Sequence, residues 1–402
     1  MRASAPWGTL KVCFVSSVFP RSDEDLEVPW LRILARELRA EGHAVTVFAP
    51  SFRGLRSHLV DGTPVTRFRY FFAPWETLTH EEGAPNKIHR FHYKVIALFY
   101  VLFGTIGLVR LHLRERFDVL HVHWPFPHGV FALAARLFAP SRIVLTYYGA
   151  DLLLARKFPF VRLFLRHFTK RADAVIAISG FTATEVRRIH DRDIAIIPYG
   201  TAVAQPARPP SHSPGHRILS VGRLIWRKGF SFLVEAMPLV LERFPDAHLT
   251  IAGGGNLREE LCSLRDRLGL SSCVDIPGKV STEVLEDLYA RCDVFVLPSI
   301  VDHKGDTEGL GVVIIEAFVN GKPVVATDVG GIGDIVLHER TGLLVEQKSA
   351  SALADAICRT LGDPEEARRF AAQGLVRVQE CFSWPMVVSR VAGVYHEVTT
   401  RR

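Results

Sequence analysis

Residues 302–317, DHKGDTEGLGVVIIEA, place two carboxylates, Glu308 and Glu316, on either side of two glycines, Gly309 and Gly311. The apolar run VVII leads straight into Glu316, and a helix that is hydrophobic over most of its circumference is normally buried. An ionised carboxylate there costs several kcal/mol or more unless something pairs with it. A core Arg or Lys would serve, and so would the hydroxyls of a ligand seated at the start of the helix. Gly309 and Gly311 bracket that start, where bare backbone and unpaired N–H groups make an anion site. Amides for a phosphate and flanking carboxylates for hydroxyls together describe a site for a phosphorylated sugar.

Two upstream segments supply the complementary charge. SVGRLIWRKGF places Gly222, Arg223 and Lys228 after a strand-like run, and IAGGG places Gly253, Gly254 and Gly255 after the next. Surface cations are usually solvated and a glycine triplet is often only a tight turn. Their common position at strand ends makes them a diphosphate clamp of two cations, glycine backbone and a helix N-terminus.

The elements that must hold these residues are short β-branched runs alternating with helical patterns along the whole chain, from LKVCFVSSV and AVTVFAP to VFVLPS and PVVAT. Continuous apolar strands separated by helices predict parallel sheets covered on both faces. A chain of 402 residues suits two domains. The Pro- and Ser-rich TAVAQPARPPSHSPGH, 201–216, reads as the linker. The expected organisation is therefore an α/β protein of two Rossmann-like domains, over 1–200 and 217–383. Ligands in such sheets bind beyond the carboxyl ends of the strands.

Charge is uneven. Residues 1–200 hold 27 Lys and Arg against 17 Asp and Glu, a net of +10, while the remainder holds 22 against 25, a net of −3. Such a field favours anionic partners without choosing among them. The six cysteines show no metal-ligand spacing, which fits a reducing compartment. Leu10 to Phe19 reads as a first strand and not as a signal peptide, so a cytoplasmic protein is expected.

These residues resemble the family 4 retaining glycosyltransferases, whose GT-B fold has two Rossmann-like domains facing each other across a cleft. The resemblance implies an acceptor-binding domain over 1–200, a nucleotide-sugar-binding domain over 217–383, and a last helix over 384–402 that packs back on the first. Gly222 to Gly229 is similar to the family's G-R-x-x-x-x-K-G segment, Glu308 and Glu316 to its E-x7-E signature, and GGIGDIVLHERTGLLV to its downstream loop and strand. The resemblance implies that Arg223 and Lys228 hold the donor's diphosphate and neutralise its charge as it leaves. It implies that Glu316 binds ribose hydroxyls, that Glu308 contacts the transferred sugar, and that Gly309, Leu310 and Gly311 supply backbone near the phosphates. The nucleobase would lie at the Gly278 to Val280 loop, and the donor would be UDP- or GDP-linked. KGDTEGL is similar to a longer loop of exopolysaccharide and colanic-acid-type transferases, which implies a cell-surface saccharide or lipid-linked saccharide acceptor. A glycerolipid glycosyltransferase and a GT-B nucleotide-sugar epimerase are the alternatives. Retention in the family is described as front-face substitution, with no strong protein base, metal or cofactor; the two D-x-D triplets, 23–25 and 191–193, read as solvated loops.

Two departures matter. Where the family has T-x-H-G-x-D, this chain has TYYGAD, with Tyr148 at the histidine position and Asp151 retained. A phenol with a reference pKa near ~10 is a poor proton carrier at neutral pH, so a role for Tyr148 is positional. The loop after the first strand, FPRSDEDLEVPWL, has no glycine, where many relatives carry a Gly-Gly pair. HVHWPFPHG adds His121, His123 and His128, with His123 expected to reach the cleft.

The segment KVIALFYVLFGTIGLV, 94–109, is 16 residues long. It falls short of the ~20 a membrane span needs, which predicts a buried or interfacial helix. RKFPFVRLFLRHFTKR, 156–171, interleaves cations with Phe158, Phe160, Phe164 and Phe168. Peripheral, salt-reversible attachment to the anionic inner face of the cell membrane is the resulting expectation, with no nucleic acid as partner.

Overall fold

The structure is a computed structural model that describes residues 8–25, 27–80, 87–201 and 216–401. The linker segment, apart from Thr201 and His216, lies outside the described residues. The chain divides into two compact units, Met1–Gly200 with Trp384–Arg402, and Thr201–Ser383.

The first unit is built on an eight-stranded sheet. Its strands are β1 (Lys11–Val15), β2 (Ala44–Pro50), β3 (His58–Val60), β4 (Thr63–Phe68), β5 (Val119–His123), β6 (Arg142–Tyr147), β7 (Ala174–Ala177) and β8 (Ala195–Ile196), in the order β3-β4-β2-β1-β5-β6-β7-β8. All pairings are parallel except β3 with β4. The central strands are buried on successive residues because both faces are covered. On one face Val12, Phe14 and Val47 pack with α1 (Pro29–Ala40) and with Val387, Val391 and Tyr395 of the final helix, Trp384–Thr400.

On the other face Phe48, Phe68 and Leu120 pack with α2 (Phe91–Glu115) and α3 (Pro125–Phe138). α2 has 25 residues and outruns the 16-residue apolar segment at both ends. Its last turn carries Arg114, whose charge complements the helix dipole, and Arg116 closes it in the left-handed conformation. Ile96, Tyr100, Gly104, Leu108 and Leu111 form its buried stripe. A Cβ on Gly104 would meet the Phe131 ring of α3 at 2.5 Å, so glycine lets the two helices touch.

The second unit is an all-parallel six-stranded sheet of β9 (Arg217–Val221), β10 (His248–Ala252), β11 (Val274–Gly278), β12 (Val294–Leu297), β13 (Val324–Thr327) and β14 (Leu343–Val345). Its order is β11-β10-β9-β12-β13-β14. The chain winds outward from β9 to β11, then returns to place β12 on the other side of β9. The reversal makes the β9/β12 boundary a topological switch point, where loops diverge and leave a crevice beyond the strand ends.

Candidate active site

The loops after β9 and β12 carry the chemistry. After β9, Gly222 donates its amide to Ala252 O at 3.0 Å and Leu224 to Gly254 O at 2.9 Å, while Gly253 donates to Gly278 O at 2.9 Å. These bonds lace the ends of three strands into one rim. Gly253 has φ +148° and lies against the Gly222 carbonyl, which a Cβ would approach to 1.9 Å. A close backbone crossing therefore requires glycine there.

A single 3₁₀ turn, Trp226–Lys228, follows and ends at Gly229 in the left-handed conformation. It turns Lys228 inward, where the buried ammonium donates to Oε2 of Glu308. Arg227 Nη1 lies 3.4 Å from the same oxygen and 3.2 Å from Thr307 O, and its Nε lies 3.4 Å from Asp306 Oδ2. Burial works to raise the Glu308 carboxyl, but Lys228 and Arg227 outweigh it and hold the pKa below the ordinary range. Glu308 is thus a buried carboxylate kept ionised by two cations.

Downstream, Gly311 at φ +87° starts the helix α4, Val312–Val319. A Cβ on Gly311 would lie 3.6 Å from Cγ of Glu308, so the helix start and the carboxylate are neighbours. Among the described residues Glu316 finds neither a core Arg nor a core Lys: the hydroxyl of Tyr289 donates to its Oε2 at 3.0 Å. Burial pushes the Glu316 carboxyl up, and the Tyr289 bond only partly offsets this. Arg223, Gly254 and Val312 are exposed, Gly222, Val280 and Gly309 are half-buried, and Leu310 is buried.

The arrangement can receive and neutralise an anion beside a carboxylate at a strand mouth. Two profile matches decide the family: Glycosyltransferase Family 4 over residues 30–205 and Glycosyl transferases group 1 over residues 205–376. The chain belongs to the family 4 glycosyltransferases. The GDP-mannose-dependent alpha-(1-6)-phosphatidylinositol monomannoside mannosyltransferase of Mycobacterium tuberculosis is 26% identical over 398 residues, covering 95% of this chain and 97% of that protein. Glycogen synthase of the same species is 30% identical over 292 residues, covering 69% and 68%. Sucrose-phosphate synthase from Thermosynechococcus elongatus superposes with a TM-score of 0.75 at 23% identity, covering 98% of this chain and 100% of that one, a likeness of fold.

In the first unit of this glycosyltransferase the sequence expectation for His123 does not hold. His123 is fully buried, with Nδ1 2.8 Å from the Tyr148 hydroxyl and its ring 4.7 Å from Phe14. It lines a cavity of about 30 Å³ with Trp30, His121 and Tyr148, room for a water but not for a sugar. The alternation of β5 aims it into the layer beneath the final helix and not toward a cleft. His121 bridges the Tyr395 hydroxyl and Thr146 at 2.6 Å each, and His128 meets the Tyr100 hydroxyl at 2.8 Å, so all three are core histidines. Tyr148 also stacks on Tyr199, with centroids 5.7 Å apart. Asp151, in the first turn of the helix Ala150–Lys157, is buried, and burial pushes its carboxyl up to about 8.

Sequence reasoning missed Arg227 and Tyr289. Arg227 is signalled only by its place between the two cations of GRLIWRKG. Tyr289 has no local signal, since its contact with Glu316 joins two different helices.

Proposed function

We propose that this glycosyltransferase moves a sugar from a nucleotide diphosphate donor onto a saccharide or lipid-linked saccharide acceptor, with retention at the anomeric carbon. The observation that carries the reading is the Arg227–Lys228–Glu308 cluster at the β9/β12 switch point. Breaking the bond between the anomeric carbon and the diphosphate oxygen builds negative charge on the leaving group and positive charge on the sugar. Lys228, Arg227 and the exposed Arg223 answer the first, and Glu308 the second. The acceptor oxygen attacks from the face the phosphate is leaving, and its proton passes to the departing phosphate oxygen. In this reading the protein's own cations supply the neutralisation, and no cofactor takes part. The likeness over 95% of the chain to a GDP-mannose-dependent phosphatidylinositol monomannoside mannosyltransferase favours a GDP-linked donor and a lipid-linked acceptor.

Incubation with GDP-mannose or UDP-glucose alone, followed by NMR, tests this. Slow hydrolysis should release the sugar first with its donor configuration. A first-formed inverted sugar would refute retention, and a new sugar nucleotide would identify an epimerase.

Binding and turnover should separate at the two carboxylates. Ribose contacts persist from ground state to transition state, so Glu316→Gln should weaken donor affinity by about tenfold, ~1.4 kcal/mol. Glu308→Gln should weaken it less and slow turnover more. Calorimetric affinities ranked in the opposite order would overturn the assignment.

A further inference from the structure

The helix α2 is apolar on the wrong side for an ordinary surface helix. Its inner stripe fills the contact with α3 and the sheet, yet Leu98 is 72% exposed and Leu102 52%, with Phe99 and Phe103 exposed beside them. Positions 98, 99, 102 and 103 share one face over two turns. No charged residue occurs between Lys94 and Arg110. Phe91 extends the face at one end and Leu113 at the other. The exposed Phe72 and Trp75 continue it off the helix: the Phe71 ring lies 5.5 Å from Phe99 and 5.2 Å from Phe72, and Trp75 lies 5.6 Å from His92. Contiguous exposed apolar surface of this kind marks an interaction site.

The charges around it select the occupant. Exposed Arg90 and Lys94 stand at one end of the band and exposed Arg110 and Arg114 at the other. The helix has one acidic residue, Glu115, at its last position and 2.8 Å from Arg114. An apolar band bracketed by cations, with an aromatic residue at its edge, is the pattern of a helix lying in a lipid interface. At ~1.5 Å per residue α2 is long enough to cross a bilayer. Crossing would strip its inner stripe from the sheet, and Gly104 in contact with Phe131 shows how closely that stripe is fitted.

We propose that α2 lies in the plane of an anionic membrane with Leu98, Phe99, Leu102 and Phe103 in the acyl region and its flanking cations among the headgroup phosphates. The attachment is then mainly hydrophobic and resists salt, in contrast to the salt-reversible attachment that the charge balance suggests. It does not depend on which acceptor the enzyme uses.

The test is flotation of the full chain with phosphatidylcholine vesicles, alone and mixed with phosphatidylglycerol, followed by a high-salt wash. The wild type should stay with the mixed vesicles through the wash. The double variant Leu98→Gln, Leu102→Gln should partition at least roughly tenfold less, because each leucine loses its transfer from water. Unchanged melting and donor hydrolysis of that variant would show that both positions face outward. Complete release of the wild type by salt, or equal binding by the variant, would overturn the proposal. So would a lipid-free dimer that the double variant abolishes, since the face would then belong to a second copy of the chain.

Discussion

Lys228→Ala lowers turnover at saturating donor by about a hundredfold or more, because it removes a charge whose interaction with the leaving diphosphate is made largely in the transition state. The same substitution leaves the buried Glu308 with Arg227, 3.4 Å away, as its remaining cation. Breaking a buried pair from one side costs roughly 3–5 kcal/mol of stability, so a loss of activity through unfolding has to be separated from a loss of chemistry. Arg223→Ala provides the separation. Arg223 is exposed, and its removal should leave the melting temperature nearly unchanged while turnover falls by a comparable factor. Rates at saturating donor, measured with thermal melts of both variants, decide the matter. Near wild-type turnover in either variant would show that its cation does not serve the leaving group.

Stability should pass through a maximum near pH 6.5 and fall toward pH 8, and Asp151→Asn should remove the fall. Burial raises the Asp151 carboxyl from 3.8 to about 8, against the Phe126 amide that lowers it. Between those values the unfolded chain has released the proton that the folded chain keeps. The folded state is therefore penalised as pH rises, by up to ~1.4 kcal/mol per pH unit, and the penalty saturates above the folded value. The buried histidines act with the opposite sign. Burial lowers His121 from 6.5 to about 3 and His128 from 6.5 to about 4, so their contribution is complete above 6.5 and is lost as pH falls through that window. The interval from pH 6.5 to 8 isolates the carboxyl. Denaturant midpoints of the wild type and Asp151→Asn across that interval provide the measurement, and parallel profiles would mean that Asp151 ionises normally in the fold.

A protonated Asp151 at neutral pH also changes what the TYYGAD motif can do. A carboxylic acid donates a hydrogen bond where a carboxylate only accepts, and Tyr148, three residues earlier in the motif, is already engaged by His123 and by the stacked Tyr199 ring. Tyr148 is held as a positioned side chain, and the tyrosine in place of histidine finds its physical context in this aromatic layer.

The alternating apolar strands and helices were legible in the sequence because a parallel sheet covered on both faces needs uninterrupted apolar runs, and local composition records that need. The helix start at Gly311 was legible for a similar reason, since an apolar helical run follows the glycine directly; its left-handed conformation came from the structure. The pairing of Lys228 with Glu308 was not legible. The two residues are 80 apart in the chain, and only the return of β12 to the side of β9 brings their loops together. Arg227 and Tyr289 escaped for the same reason, because a residue type at one position does not state which distant loop it will face.

Burial divided the two kinds of knowledge most sharply. His121 and His123 of β5 alternate as a strand-end site would, and only the packing of the final helix over that face makes them core. In α2 the amino-acid sequence by itself determined an apolar helix and its cationic ends. Which side would be covered was decided by tertiary structure alone: an all-round apolar helix has no periodicity to mark its buried face, and the close fit of Gly104 on Phe131 turned one stripe inward and left Leu98, Phe99, Leu102 and Phe103 in the open.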